Sequence, residues 1–467
     1  MSSAPHFPST AEIDCRTYAY GVPIRHAGLC RGPYFTLLSV DRSNSCAVVA
    51  TTLCTVTAIN PAAAAPAIPE FYQPPANFPT GPGSVIRTEP MTLRASLPDY
   101  NGPWPAPAQR VMYTSRLQDG TPAAVTGTYI DSSKPWQGTG ERPTVVIGPG
   151  TMGQGDQCAP SRAFPDALLI QTDPLSMSAN QELFSAGTWN ALGARVFVTD
   201  YIGLGTPGVH TYVNRIEEAH AMLDAARAAN ILSGTGSDTP LAFWGYSQGG
   251  GAAAAAAELQ PSYAPELNLA GTWAGAPPAD LRSVLGQIDG NLIGGVVGFN
   301  INGLLARYPD LNTSLDKRIT PQGRALLGQL STECVGDIIV KHPFMRTDAL
   351  TVDGRPLLAH LDEIPEAATI LDEQQVGNLT PTSPVLVTSG INDDTIPYSQ
   401  ARGLAQSWCS RGATVTFRTN DLPPIAPGTT FANHFGPEII DGFGPNNAFD
   451  YLRDRFNGVP VSGCQFD

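Results

Sequence analysis

A serine lies between closely spaced glycines in the segment Phe-Trp-Gly-Tyr-Ser-Gln-Gly-Gly-Gly. Gly245, Ser247 and Gly249 form a G-x-S-x-G pattern between an apolar run, Leu241–Trp244, and an alanine-rich run, Gly249–Leu259. This order is typical of a sharp turn from a strand into a helix, which exposes the serine and leaves no room for neighbouring side chains. We therefore expect Ser247 to be a nucleophile that accepts an acyl group. The alternative is a glycine turn with an idle serine.

A nucleophilic serine needs a histidine as general base and a carboxylate that orients the histidine. In α/β-hydrolases, which share this serine turn, the acid follows a later strand and the histidine comes last. A short apolar run leads into Asp393 and Asp394, and either carboxylate can supply the acid. His434 follows the last predicted strand and precedes a helix, so it is the expected base. His210 and His220 precede the serine and are interpreted as structural.

Negative charge that develops on a substrate carbonyl needs backbone N–H donors. The residue after the nucleophile, Gln248, is expected to supply one of them. The second donor usually lies in the loop after an earlier strand. The predicted strand Thr144–Ile147 leads into a glycine-rich loop, so Thr151 or Met152 is the expected second donor.

The same loop also carries a G-x-G-x-x-G pattern, made by Gly148, Gly150 and Gly153, with Asp173 further along the chain. This spacing occurs in dinucleotide-binding folds, where a helix must begin at the third glycine. Two prolines interrupt the segment that would have to form this helix, and little chain remains for a crossover helix. A dinucleotide site is therefore disfavoured, and no cofactor is expected.

The elements that must position these residues alternate between strands and helices, which predicts an α/β fold with a mostly parallel sheet. The predicted strands are Arg110–Leu117, Ala123–Asp131, Thr144–Ile147, Arg195–Thr199, Leu241–Trp244, Leu269–Trp273, Pro384–Thr388 and Thr414–Arg418. The predicted helices outside the insertion are Val213–Ile231, Gly249–Leu259, Ser399–Ser410 and Pro437–Phe456. Residues 281–375 interrupt this alternation with helical segments, and the proline-rich residues 68–105 are expected to run over the surface.

Composition narrows the range of partners. The formal net charge is −14, charged residues make up 15% of the chain, and lysine occurs at three positions. Such a surface repels phosphate backbones, so nucleic acid is excluded as a partner, and it favours neutral or apolar material. The expected partner is a neutral ester or lipid substrate, met in solution or at an oil–water interface, and no stable protein partner is predicted. The cysteines show neither a C-x-x-C pair nor metal-ligand spacing, so no metal site is expected.

The chain is also expected to be secreted. Residues 46–59 form an apolar run that is followed by small residues, as in a secretory signal peptide. We interpret residues 1–67 as this leader together with an upstream extension: translation is expected to start near Val40, so that residues 1–39 are not part of the translated protein. Four cysteines then remain, and three pairings of them are possible.

With these residues in place, the chain resembles the secretory lipase family of actinobacteria and yeasts, the lipase-A type of α/β-hydrolase, over roughly residues 85–467. The resemblance rests on Gly150-Thr151, Asp156-Gln157-Cys158-Ala159-Pro160-Ser161, Asp200-Tyr201-Ile202-Gly203-Leu204-Gly205, Gly245-Tyr246-Ser247-Gln248-Gly249, Ala274-Gly275-Ala276-Pro277 and Asp393-Asp394-Thr395-Ile396-Pro397-Tyr398. It implies an α/β-hydrolase core, residues 68–280 and 376–467, with residues 281–375 as a helical cap. It further implies that the chain hydrolyses acylglycerols or related esters; an acyltransferase, a non-lipolytic esterase or polyesterase, or an inactive binding protein are the alternatives.

The resemblance also assigns roles to individual residues. It implies Ser247 as nucleophile, Asp393 as acid and His434 as base. It implies a disulfide between Cys158 and Cys334 that joins cap and core, which leaves Cys409 and Cys464 as the second pair. In yeast members an aspartate stands at the early oxyanion position, where this chain has Met152, so only a backbone donor is retained there.

Overall fold

The structure is a computed structural model that describes residues 68–94, 107–172, 175–445 and 447–467. Residues 1–67 lie outside these described residues, so the leader peptide stays a prediction. The strands of the described residues are β1 (Val85–Met91), β2 (Ala108–Arg116), β3 (Pro122–Ile130), β4 (Thr144–Gly148), β5 (Leu168–Thr172), β6 (Leu175–Ala179), β7 (Arg195–Thr199), β8 (Leu241–Tyr246), β9 (Leu269–Gly275), β10 (Val385–Gly390), β11 (Val415–Asn420) and β12 (Cys464–Phe466).

A ten-stranded sheet forms the centre of the fold, in the order β1-β2-β3-β7-β4-β8-β9-β10-β11-β12. Along the sheet, β1, β2, β3 and β7 pair antiparallel with one another. From β7 onward, β4, β8, β9, β10, β11 and β12 follow in parallel, as the alternation of strands and helices predicts. Strands β5 and β6 form a separate two-stranded hairpin. The carboxyl ends of the parallel strands therefore meet at one edge of the sheet, where ligands bind in such folds.

Helices cover both faces of the sheet and fill the interval between β9 and β10. They are α1 (Pro160–Ala163), α2 (Leu183–Ala191), α3 (Arg215–Ser233), α4 (Gln248–Tyr263), α5 (Leu281–Ile288), α6 (Val296–Arg307), α7 (Leu311–Leu315), α8 (Pro321–Leu330), α9 (Val335–Lys341), α10 (Leu357–Glu363), α11 (Pro365–Glu373), α12 (Tyr398–Ser410), α13 (Gly436–Phe443) and α14 (Ala448–Phe456). Helices α5–α11 form an insertion within the α/β core, and we refer to them as the helical insertion.

The core depends on small residues as well as large ones. The six consecutive alanines of α4 are all buried, together with alanines of α3, in one apolar cluster on one face of the sheet. Small side chains let these two helices lie close together and close to the strands. On the other face, Trp189, Trp244 and Trp273 are buried, and their rings contact one another. The strand that precedes Ser247 is thus buried on both faces, as expected for a central parallel strand.

The structure corrects three expectations at the level of secondary structure. The proline-rich segment 68–105 does not only run over the surface, because β1 lies within it; β1 is an edge strand, where a proline is tolerated. The single predicted helix 437–456 is two helices, α13 and α14. A crossover helix, α2, does exist between β4 and β7, since it begins well beyond the two prolines. No helix begins at Gly153, however, so the geometry of a dinucleotide fingerprint is not formed.

Two disulfides tie distant parts of the chain together. Cys158 bonds to Cys334 of the helical insertion, and Cys409 bonds to Cys464, the first residue of the last strand. None of the helices in the described part of the chain has the length and apolar character that a membrane span requires.

Candidate active site

Ser247 occupies a strained turn between β8 and α4. Its φ of 56° lies in the left-handed region, which residues other than glycine rarely adopt. A Cβ at Gly245 would overlap the backbone of Gly249, and a Cβ at Gly249 would overlap the carbonyl oxygen of Gly148. Glycine is therefore required on both sides because backbones approach too closely for any side chain. The turn holds the serine side chain away from the strand and the helix that flank it.

This close approach makes Gly249→Ala a strongly destabilising change. We expect a loss of about 4 kcal/mol or more in the free energy of unfolding, because backbone rather than a flexible side chain must move. Gly403→Ala in α12 is the matched control, since a Cβ there meets nothing within 4 Å. We expect the control to stabilise the protein by about 0.5–1 kcal/mol. Denaturant unfolding of both variants measures the difference; equal stability of the two would contradict the steric account.

Three side chains from separate loops form a hydrogen-bonded chain at the carboxyl edge of the sheet. Nε2 of His434 lies 2.8 Å from Oγ of Ser247. Nδ1 of the same ring lies 2.9 and 3.1 Å from the two carboxylate oxygens of Asp393. All three residues are buried, with exposed fractions of 8, 1 and 5% for serine, histidine and aspartate. The structure thus brings Ser247 and His434 together with Asp393, the one of the two candidate acids that the family resemblance implies.

The two neighbouring aspartates have different partners. Oδ1 of Asp393 also accepts the N–H groups of Thr395 and Ile396, both at 2.9 Å, which fixes the carboxylate facing His434. The carboxylate of Asp394 turns away and accepts the N–H groups of Gly428 and Thr430, at 2.8 and 3.1 Å. Asp393 is therefore placed to orient the histidine, whereas Asp394 holds the loop that leads to it.

His434 lies in a π-helical turn, Phe431–Phe435, that directly precedes α13. The backbone enters this turn through Thr430, which has a φ of 67°. The hydroxyl of Tyr246 donates to the carbonyl oxygen of His434 at 2.7 Å. Because Tyr246 lies directly before Ser247, this bond connects the backbone of the base to the strand that carries the nucleophile.

The three expected oxyanion residues differ in whether they line the cavity at Ser247. Gln248 is the first residue of α4, so its N–H has no acceptor within the helix and is free for a ligand. Thr151 lines the cavity at Ser247, and its hydroxyl lies 2.8 Å from that of Tyr212. The side chain of Met152 instead packs in the cluster around the Cys158–Cys334 disulfide. Of the two expected second donors, the structure places Thr151 at the cavity.

The side chain of Gln248 is held by two buried residues, Glu218 and His210, and no pattern in the sequence predicts these contacts. Nε2 of Gln248 donates to Glu218 at 2.7 Å and to Nε2 of His210 at 2.9 Å. Nδ1 of His210 then donates to the carbonyl oxygen of Ile202 at 3.0 Å. Burial lowers the pKa of His210 to about 4 and raises the pKa of Glu218 to about 8, so both are uncharged at neutral pH. The neutral ring accepts the amide proton, which fixes the side chain of the expected oxyanion residue.

A second buried carboxyl group, that of Glu182, supports the glycine-rich loop that contains Thr151. Oε1 of Glu182 accepts the N–H of Gly150 at 3.1 Å, and burial raises the pKa of this glutamate to about 7. Burial also raises the pKa of Glu438 in α13, and the charge of Glu182 raises it further. The loop that contains Thr151 and the helix that follows the His434 turn therefore each have an acid whose burial favours its uncharged form.

These buried acids predict that the protein is more stable in mild acid than in base. The folded-state pKa values of Glu182, Glu218, Asp224 and Asp441 are about 7, 8, 6 and 6, all above those of the unfolded chain. A raised pKa contributes stability that is present below the unfolded value and is lost as the pH rises through the folded value. We expect the free energy of unfolding to fall by on the order of 7 kcal/mol between pH 5 and pH 8.5, once the opposite effect of the lowered pKa of His210 is subtracted. Denaturant unfolding across this range measures the change.

Glu218→Gln is the variant that separates this effect from a general charge effect. The amide keeps an acceptor for Gln248 but cannot ionise, so we expect the decline above pH 7 to become shallower. Glu373→Gln at the exposed end of α11 is the control and is expected to leave the curve unchanged. Because the pKa of His210 is lowered, this histidine contributes stability that is lost as the pH falls below about 6.5, but the four acids outweigh it, so stability is expected to keep rising down to about pH 5. A curve that rises toward pH 8.5 would contradict this prediction.

The cavity at Ser247 is almost closed by the helical insertion. Helix α5 turns Leu281, Val284, Leu285 and Ile288 toward it, and these positions share one face of a helix. The cavity holds about 20 Å³, which is room for about one water molecule. Its lining contains no charged side chain. The cavity in this state is too small for an acyl chain, and its wall is largely apolar.

The helical insertion is attached firmly on one side and by hydrogen bonds on the other. Arg307 of α6 forms a bidentate salt bridge with the buried Glu217 of the core, at 2.6 and 2.9 Å, on the side that also has the Cys158–Cys334 disulfide. On the other side, the amide nitrogen of Asn291 donates to the carbonyl of Asp394 at 2.8 Å, and its oxygen accepts the hydroxyl of Thr430 at 2.7 Å. The segment around Asn291 is therefore hydrogen-bonded to the loop of Asp394 and to Thr430, which precedes the turn that holds His434.

Within the described residues, no three His, Cys, Asp or Glu side chains are grouped so as to hold a metal ion. The sheet order, the turn at Ser247 and the serine–histidine–aspartate arrangement together define an α/β-hydrolase. A model of the family described as secretory lipase matches residues 171–463, well over half of the chain. The chain belongs to the secretory lipase family, and it is a secreted carboxylic ester hydrolase.

Individual relatives agree with this membership. A secreted triacylglycerol lipase of Malassezia furfur is 27% identical over 85% of this chain and 77% of its own length. A protein of Mycobacterium tuberculosis named a probable inactive lipase is 28% identical over 84% of this chain and 82% of its own length. Among solved structures, lipase A of Candida antarctica in its closed state is 22% identical with a TM-score of 0.70, covering 85% of this chain and 88% of that one. At that level of identity the structural likeness supports the fold alone.

Proposed function

We propose that the chain hydrolyses the carboxylic ester bonds of acylglycerols through an acyl-enzyme on Ser247. The observation that carries this proposal is the hydrogen-bonded chain from Oγ of Ser247 through His434 to Asp393. The apolar, uncharged lining of the cavity supports a neutral acyl group as the part of the substrate that binds there. One relative is named a probable inactive lipase, but in this chain all three groups are present and connected.

The reaction follows from the positions of these groups. Nε2 of His434 takes the proton of Ser247 as Oγ attacks the ester carbonyl, and Asp393 stabilises the imidazolium that forms. The backbone N–H groups of Gln248 and Thr151 receive the negative charge on the carbonyl oxygen. The histidine then gives its proton to the departing glyceride oxygen. Water, deprotonated by the same ring, attacks the acyl-enzyme and releases the fatty acid.

The helical insertion controls access in this proposal. Residues 281–375 act as a cap, and the movement of α5 opens the closed cavity at Ser247 to the acyl chain. The face of α5 that now fills the cavity then becomes the apolar wall of the acyl site. Hydrolysis of a graded series of acyl chain lengths, in solution and as emulsions, measures what this wall accepts.

Covalent labelling tests the proposal directly. A long-chain alkyl fluorophosphonate is expected to add one alkylphosphonyl group to the peptide that contains Ser247, as detected by mass spectrometry. Heat-denatured protein is the control and is expected to remain unlabelled, because the hydroxyl is nucleophilic only beside His434. No labelling of the native protein would contradict the proposal. Faster transfer of the acyl group to added glycerol than to water would replace the hydrolase with an acyltransferase.

A further inference from the structure

Two surface elements beside the active site have their polarity reversed. In the β5–β6 hairpin the serines 176 and 178 are buried, while Leu168, Ile170, Leu175 and Met177 are 36–58% exposed. A strand at the surface normally turns its apolar side chains inward and its polar ones outward. The described residues of both strands contain no Asp, Glu, Lys or Arg. The hairpin thus presents an uncharged apolar face to the solvent.

Helix α13 shows the same reversal. Ile439 and Ile440 are 64 and 41% exposed. Glu438 and Asp441, on either side of them, are half-buried, and Asp441 accepts the side-chain amide of Asn420 at 2.9 Å. Burial raises the pKa of both acids, which reduces their charge further. A surface helix ordinarily has the opposite arrangement, so solvent alone does not account for these isoleucines.

The two reversed elements flank the catalytic loops. Helix α13 begins directly after the turn that holds His434, and Glu182, three residues after the hairpin, accepts the N–H of Gly150 in the loop that contains Thr151. Helix α2, which comes after the hairpin, contacts α13 through the rings of Phe184 and Phe443, 4.6 Å apart. We call Leu168, Ile170, Leu175, Met177, Ile439 and Ile440 the outer apolar face.

We propose that the outer apolar face docks the protein onto the surface of an uncharged acylglycerol phase. The inference rests on the proposed function and names the physical form of its substrate. Charge decides between the possible surfaces: the chain carries a net charge of −14 and has three lysines, so an anionic bilayer repels it. An uncharged lipid surface offers apolar area without this repulsion, and burying each exposed apolar side chain against it is favourable. Docking there places the catalytic loops against the lipid that they hydrolyse.

Adsorption to lipid droplets tests the proposal in two independent variants. Ile170→Ser with Met177→Ser alters the hairpin, and Ile439→Ser with Ile440→Ser alters α13. We expect each double variant to bind trioctanoylglycerol droplets, coated with phosphatidylcholine, about tenfold more weakly in a flotation assay. Ile231→Ser and Val459→Ser replace equally exposed side chains elsewhere and are expected to bind like the unmodified chain. Addition of phosphatidylglycerol to the coat is expected to weaken binding of every form.

Several results would overturn the proposal. They are unchanged adsorption of both double variants, an equal loss with Ile231→Ser, or tighter binding to the anionic droplets. Dissociation of a dimer by the same substitutions in sedimentation velocity would show that a second copy of the chain covers this face. Hydrolysis of dissolved p-nitrophenyl acetate is measured in parallel and is expected to be unchanged in the hairpin variant. Absence of that hydrolysis in the unmodified chain would refute the proposed function and leave the adsorption result intact.

Discussion

Replacing Ser247 by alanine is expected to lower kcat for a dissolved p-nitrophenyl ester by about a million-fold. Removing the nucleophile of a serine–histidine–aspartate triad has an effect of this size, because the remaining groups provide only charge stabilisation and binding. Nε2 of His434 is hydrogen-bonded to the hydroxyl of Ser247, whereas the hydroxyl of Thr151, which also lines the cavity, pairs with that of Tyr212. Initial rates with purified protein measure the loss.

The fold of this variant should be retained. Alanine and serine have the same difficulty with a φ of 56°, so the strain of the turn is unchanged. Ser389→Ala is the control: this serine in β10 is also buried, but its hydroxyl has no hydrogen-bond partner. We expect the control to keep full activity and to be at least as stable, because an unpaired buried hydroxyl is removed. Full activity of Ser247→Ala would exclude the serine mechanism.

The parts of the fold that could be predicted are those specified by local sequence. The strand Arg195–Thr199 has the predicted bounds, and β8 with α4 forms around glycines whose spacing allows only one kind of turn. A buried parallel strand is a short run of apolar residues, and that signal is independent of the rest of the chain. The α/β fold and its mostly parallel sheet could therefore be predicted from the sequence.

The elements that escaped prediction lack such a signal. The β5–β6 hairpin has its serines inside and its aliphatic side chains outside, so an ordinary interpretation of alternation does not identify a surface strand. Strand β12 has three residues, and it is held at the sheet edge next to the Cys409–Cys464 disulfide. The break between α13 and α14 depends on Asn447, whose side chain caps the second helix by accepting the N–H of Asp450.

The candidate site shows the same limit. The order of serine, acid and histidine along the chain selected Ser247 and His434, but it could not choose between Asp393 and Asp394 as acid or between Thr151 and Met152 as oxyanion donor. Glu218 reaches Gln248 from a helix 30 positions earlier in the chain. Contacts of that kind are set by how elements pack and not by any local pattern.

The adjacent aspartates provide a paired test of the site. Asp393→Asn is expected to lower kcat by about ten-thousand-fold with little change in fold. The amide can present an N–H to Nδ1 of His434, which favours the tautomer that cannot accept the proton of Ser247. Asp394→Asn removes the same charge one residue later, but its amide oxygen can still accept the N–H groups of Gly428 and Thr430. We expect it to lose less than about tenfold in kcat and about 1–2 kcal/mol in the free energy of unfolding.

Each variant serves as the control for the other, because the chemical change is identical and the positions are adjacent. The distinguishing result is a separation of activity from stability: Asp393→Asn loses rate and keeps its unfolding midpoint, whereas Asp394→Asn keeps most of its rate and unfolds earlier. The pH dependence sharpens the comparison, since only the first variant has lost the carboxylate that stabilises the imidazolium. If instead Asp394→Asn were the inactive variant, the acid of the triad would be the second aspartate, and the hydrogen bonds of Asp393 to Thr395 and Ile396 would be structural.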